Sequence, residues 1–108
     1  MKVFISGPIT NTEDYMQRFE AAENWLAAQG HTPLNPAKVN ATIPFLMRWD
    51  KYMDITLVLL RECEAIYMLE GWEFSTGARV ERNFAAQLGM KIMHEKDIFE
   101  QLEDEEDE

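Results

Sequence analysis

Apolar residues along this chain fall into short continuous runs, separated by longer stretches with helical spacing. "KVFIS" (2–6) is an apolar run stopped by Gly7-Pro8 and predicts a first strand. Between residues 11 and 30, Tyr15, Phe19, Ala22 and Leu26 recur at three- and four-residue steps, which predicts a helix. Asn11 or Thr12 is its candidate cap, Glu13 and Asp14 suit the positive end of the helix dipole, and Gly30 is placed to close it. "HTPLNP" (31–36) predicts a brief second strand ending in a proline-flanked loop, and 37–43 reads as irregular. Pro44 is expected to open a second helix, because a missing N–H costs nothing at the first helical position. Leu46, Trp49, Met53, Leu57 and Leu60 carry that helix to about Glu62. "AIYML" (65–69) reads as a buried strand, 75–88 as a third helix closed by Gly89, and "KIM" (91–93) as a fourth strand. One last helical turn is expected after His94.

Strands and helices therefore alternate, which predicts an α/β fold: a doubly wound, Rossmann/flavodoxin-like parallel sheet of about four strands with flanking helices. Ligands in such sheets sit at the carboxyl ends of the strands. Three segments reach that edge: "SGPITN", "LNPAK" and "LEGWEFSTGA". No repeat or internal linker divides the chain, so residues 1–98 are expected to form one domain.

Charge changes the picture only at the end. The net charge is −10, but the last six residues, "EDEEDE", are all acidic, and without them 14 acids face 10 bases. Residues 99–108 thus read as a disordered, solubilising tail. No basic stripe suggests binding to duplex nucleic acid, although a small nucleotide needs only a local anion site. No apolar run approaches the ~20 residues that span a bilayer, and "MKVFISGPIT" lacks the long apolar core of a signal peptide. Cys63 is the single cysteine, so a disulfide within the chain and paired-cysteine metal ligation are excluded. These features point to a cytoplasmic protein without membrane partners, and to no metal or cofactor.

Two segments carry candidate chemistry. "SGPIT" is a strand-to-helix turn in which Gly7 permits close backbone approach, but it is neither a G-x-G-x-x-G nor a Walker loop. "FSTGARVE" opens the third helix. Ser75 or Thr76 is its candidate cap, and Ser75, the Gly77 N–H and the helix dipole together form a candidate anion site. Gly77, Ala78, Glu81, Ala85 and Leu88 share one face, so a glutamate stands on a small or apolar stripe. That pattern fits either a functional carboxylate or a salt bridge to a distant base, since Arg79 and Arg82 lie at poor offsets for pairing. Trp49, Tyr52 and Trp72 lie near the ligand edge, where they can stack a base; packing in the core or at an interface is an equal reading for Trp49. His31 and His94 have no partners at ligand spacing, and most of the methionines read as core filling.

The ordered set "FISGPIT", "GHTPLNPA", "WDKYMD", "CEAIYMLEGWEFSTGARVE" and "LG" resembles the nucleoside 2-deoxyribosyltransferase superfamily over residues 2 to about 93. The most specific piece is Ser/Asp-x-Gly-x-x-x-Glu, present here from Ser75 to Glu81. The resemblance implies cleavage of the N-glycosidic bond of a nucleoside or nucleoside monophosphate, with Glu81 ionised and attacking C1′ of the sugar. It implies a substrate shell drawn from Ser6, Gly7, Pro8, Ile9, Asn35, Tyr52, Trp72, Ser75, Gly77 and Ala78. Serine at the motif's first position resembles the nucleotide hydrolases, which tilts the expectation toward a 5′-monophosphate and toward hydrolysis rather than base exchange. The resemblance also implies a homodimer or larger assembly. One position departs from the pattern. The expected acid, eight residues before Glu64, is Thr56; Asp54, two residues earlier, is the nearest candidate, about 200° away around a helix. A nucleotide-binding module without turnover is the alternative this departure leaves.

Overall fold

The computed structural model describes residues 1–10 and 12–98. Four strands, β1 (Lys2–Ser6), β2 (Thr32–Leu34), β3 (Ala65–Met68) and β4 (Lys91–His94), form one sheet in the order β2-β1-β3-β4. Every neighbouring pair is parallel, with Val3 beside both Pro33 and Ala65, and Ala65 beside Lys91. The helices are α1 (Tyr15–Ala28), α2 (Pro36–Ala41), α3 (Trp49–Arg61) and α4 (Thr76–Gln87), with a 3-10 turn at Trp72–Phe74. The expected doubly wound α/β architecture is present. None of the described helices is long and apolar enough to cross a membrane.

Strand alternation divides the core into two layers. Val3, Ile5, Tyr67 and Leu69 pack with Phe19, Ala22 and Leu26 of α1 on one face. Phe4, Ile66 and Met68 pack with Leu60 of α3 and with Ala78 and Ala85 of α4 on the other. The strands read as unbroken apolar runs because both faces are covered. The chain leaves β1 toward β2 on one side and returns past it to β3 on the other. That reversal opens a crevice at the carboxyl end of β1, where open α/β sheets take their ligands.

Several helix boundaries differ from the expected ones. Residues 36–41 are helical rather than irregular, because Asn35 caps α2 through Oδ1, which accepts from Ala37 N (3.0 Å) and Lys38 N (3.3 Å), and Pro36 takes the first position. Pro44 opens no helix; α3 begins at Trp49 after an extended Arg48. The candidate cap Asn11 lies outside the described residues, while Thr12 donates to its neighbour Thr10 O (3.4 Å) and α1 starts at Tyr15 with no side-chain cap. Gly30 closes α1 as expected: with φ at 87° it lets its own N–H reach Ala27 O and the His31 N–H reach Leu26 O. Residues 95–98 start another helical turn, and the acidic segment 99–108 lies outside the described residues.

Candidate active site

The site begins with the pleat of β1. Val3 and Ile5 point toward α1, so Phe4 and Ser6 point the other way, toward α3 and α4. On α4 the buried positions are Ala78, Glu81 and Ala85, three and four residues apart, so a carboxylate is turned into the sheet with two alanines. The two elements meet where the Ser6 hydroxyl donates to Glu81 Oε1 at 2.6 Å. Glu81 is 7% exposed, and among the described residues no cation pairs with it. Burial pushes its pKa up to about 7, against a smaller downward pull from the Ser6 and Thr56 hydroxyls. The resemblance implied an ionised Glu81; burial instead brings its titration near neutrality, where neutral and charged forms coexist. It is the sixth residue of α4, beyond the first turn over which the dipole acts strongly, so loss of hydration dominates.

A cavity of about 1080 Å³ opens over this pair. Its wall comes from the end of β1 (Gly7 to Thr10), the start of α2, the connection from Ile43 to Met47, one face of α3, and the entry to α4. On α3 the contributing residues are Trp49, Tyr52, Met53 and Thr56, a single stripe at helical spacing. On α4 they are Thr76, Gly77, Ala78 and Glu81, preceded by Ser75. Glu81 is the one charged side chain among the described residues of this wall.

Of the residues singled out from sequence, Gly7, Pro8, Ile9, Tyr52, Ser75, Gly77, Ala78 and Glu81 share the cavity. Ser75 caps α4, its Oγ accepting from Ala78 N at 3.2 Å, which leaves its own proton free. Gly7 has a packing reason as well: a Cβ there would lie 2.7 Å from Leu69 Cβ. At Gly77 an added Cβ would stand 3.4 Å from Met53 Sδ, so its bare backbone contributes open wall. The Tyr52 hydroxyl accepts from Met47 N at 3.2 Å and pins the connection before α3.

Four expectations are corrected by position. Asp54 lies outside the cavity wall; its side chain is 72% exposed and stands 4.0 Å from Lys51, on the opposite side of α3 from Thr56. Thr56, at the place where an acid was expected, is buried in the wall. Trp72 is packed into the α3/α4 layer with the Arg82 guanidinium 4.7 Å over its ring, so its face is already covered. Asn35 spends its carbonyl oxygen on capping α2, and Ser6 sits behind the wall, touching Glu81 rather than the cavity.

Sequence reasoning missed the outer wall. Phe45, Leu46 and Phe74 line the cavity mouth while remaining 65%, 96% and 91% exposed. The available signal is the apolar pair after Pro44: Leu46 reads as part of a helical stripe that in fact begins later, and Phe45 as an exposed aromatic suited to an assembly. Tyr15, on the first turn of α1, also reaches the wall.

A family model described as "Domain of unknown function (DUF4406)" matches residues 1–94. The chain belongs to the DUF4406 family. Curated proteins yield no match to this DUF4406 domain in sequence. Among solved structures it is similar to a 2-deoxyribosyltransferase from Leishmania mexicana, with a TM-score of 0.64 at 18% identity, over 86% of this chain and 62% of that one. It is also similar to a CMP N-glycosidase from Clostridium botulinum, with a TM-score of 0.61 at 21% identity, over 87% of this chain and 67% of that one. A 2-deoxyribosyltransferase from Bacillus psychrosaccharolyticus superimposes with a TM-score of 0.67 at 19% identity, over 87% of this chain and 71% of that one. The DUF4406 domain thus has the nucleoside 2-deoxyribosyltransferase fold, and it spans less than two thirds of the length of the Leishmania enzyme.

Proposed function

We propose that this chain cleaves the N-glycosidic bond of a nucleoside 5′-monophosphate, with Glu81 as the nucleophile and water as the final acceptor. The observation that carries the reading is the Glu81 carboxyl, buried, bonded to Ser6, and facing a nucleotide-sized cavity beside the start of α4. A carboxylate oxygen forms a bond to C1′ as the C1′–N bond breaks. That bond's electron pair leaves with the base, which takes a proton from water. A second water then displaces Glu81 and releases the sugar phosphate, the two-step logic of retaining glycosidases. Positive charge developing on the sugar favours the ionised form of a carboxyl poised near neutrality.

The 5′-phosphate would rest at the mouth of α4, where the Ser75 hydroxyl proton and the Thr76 and Gly77 N–H groups are available and the helix dipole favours an anion. The similarity to a CMP N-glycosidase supports a nucleotide substrate. Gly7, Pro8, Ile9, Tyr52 and Ala78 would surround sugar and base. The exposed apolar mouth, with Phe45, Leu46 and Phe74, supports a homodimer or larger assembly, and the lone cysteine suits the cytoplasm. A monomeric mass by light scattering at micromolar concentration would overturn the assembly.

The test is incubation with a panel of ribo- and deoxyribonucleoside monophosphates, reading free base by chromatography. Release that disappears in Glu81→Ala is expected. No release from any substrate, or equal release by the variant, refutes the reading. A second reading, a nucleotide-binding module without turnover, is favoured by the outward-facing Asp54 and by Thr56 in its stead. Calorimetric binding of a nucleotide with no free base would establish it.

A further inference from the structure

The Glu81 carboxyl is held by a hydroxyl from another element. From β1, the Ser6 hydroxyl donates to Oε1 at 2.6 Å, at the short end for such bonds. Thr56 of α3 is 4% exposed and lines the same cavity, but its hydroxyl donates to Met53 O at 3.2 Å, within its own helix.

No charge competes with the Ser6 hydroxyl. On α3, Asp54 is turned out toward Lys51, and the Arg61 guanidinium lies over Phe84. On α4, Arg82 covers Trp72; on β4, His94 stands 3.8 Å from Asp97. Tyr67 of β3 packs on the opposite face of the sheet. The Tyr52 phenol, in the same wall, is engaged by Met47 N. The Ser6 hydroxyl is thus the polar group that fixes how the carboxyl is turned.

We propose that Ser6 is a positioning residue, which holds the Glu81 carboxylate through Oε1 and leaves Oε2 as the oxygen that attacks C1′. This rests on the reading of Glu81 as nucleophile. Oε2 supplies the electron pair of the new C1′–O bond, the C1′–N pair departs with the base, and water provides the base's proton. A hydrogen bond to the charged form is stronger than one to the neutral form, so the same grip favours ionisation.

The first test needs no turnover. Protein labelled with carbon-13 at the glutamate carboxyls is titrated by NMR, with Glu81→Gln assigning the resonance. Ser6→Ala should raise the Glu81 midpoint by about one pH unit, as expected for losing a charge-assisted hydrogen bond. Ser6→Cys, a similar volume with a weaker donor, gives the same upward direction should the alanine variant fail to fold. An unchanged or lowered midpoint in the Ser6 variants overturns the proposal.

The second test uses base release above both midpoints, where Glu81 is ionised in every variant. There Ser6→Ala should lower kcat by about 10- to 100-fold, the range expected for misplaced reacting groups, with KM unchanged. An equal kcat overturns the positioning role. If Glu81→Ala itself releases base normally, the nucleophile reading fails while the titration still reports whether the Ser6 hydroxyl holds the carboxyl.

Discussion

Replacing Glu81 by glutamine should make this protein more stable, and only above a particular pH. Glutamine keeps the side chain's size and an oxygen to accept from Ser6, but it does not titrate. In the folded chain the Glu81 carboxyl holds its proton up to about 7, whereas its ordinary value is 4.5. Below pH 4.5 both folded and unfolded chains are protonated there, and the group costs nothing. Between 4.5 and about 7 the unfolded chain releases the proton that the folded chain retains, so stability falls as pH rises through that window. At about 1.4 kcal/mol per pH unit, the full loss above neutrality is about 3 kcal/mol. Solvent screening reduces this little, because the residue is 7% exposed. Urea unfolding of wild type and Glu81→Gln at pH 5, 6, 7 and 8 isolates the effect, since all other carboxylates are common to both chains and cancel in the difference. The variant's advantage should grow from near zero toward about 3 kcal/mol, with an unchanged urea slope. A difference that is flat with pH, or a variant less stable at pH 8, refutes the reasoning. If the advantage appears, Glu81 is a side chain that the fold holds at a cost.

Gly7→Ala should lower the urea midpoint, by about 1–3 kcal/mol of overpacking, because the new methyl meets Leu69 at 2.7 Å. Ser75→Ala should lose a helix cap worth about 1 kcal/mol and, in base-release assays, raise KM for a nucleotide more than for the matching nucleoside. Asp54→Asn should leave the rate of base release unchanged, since its side chain faces solvent outside the cavity; a large drop would return Asp54 to the mechanism. Phe74→Ser should reduce the mass seen by light scattering if the exposed ring belongs to a subunit interface.

The sheet was legible because parallel strands covered on both faces leave unbroken apolar runs, and "KVFIS" and "AIYML" are such runs. The carboxylate was legible because a charged residue on the stripe of Ala78 and Ala85 contradicts a solvated face. What failed was reading punctuation. Asn35-Pro36 reads as a loop from its proline alone, although an Asn cap followed by proline at the first position is a helix start. Giving Pro44 that role draws Leu46 into a stripe it does not join. Thr56, eight residues before Glu64, is buried in the cavity wall. Asp54 is no substitute there, because two residues of offset turn a side chain to the far side of a helix. Trp72 misled for another reason: sequence does not show that Arg82, ten residues on, comes to lie over its ring.

The contact between Gly7 and Leu69 has a consequence for redesign. With no room for even a methyl group, the cavity floor at the end of β1 is closed to variation. The opposite wall, from Ile43 to Trp49 with Phe74, includes side chains that the core does not hold, Leu46 and Phe74 above all. A library meant to change what the cavity accepts should therefore leave Gly7 intact. It should place its diversity at positions 45, 46, 49 and 74, where a new side chain alters the pocket without asking the sheet to move.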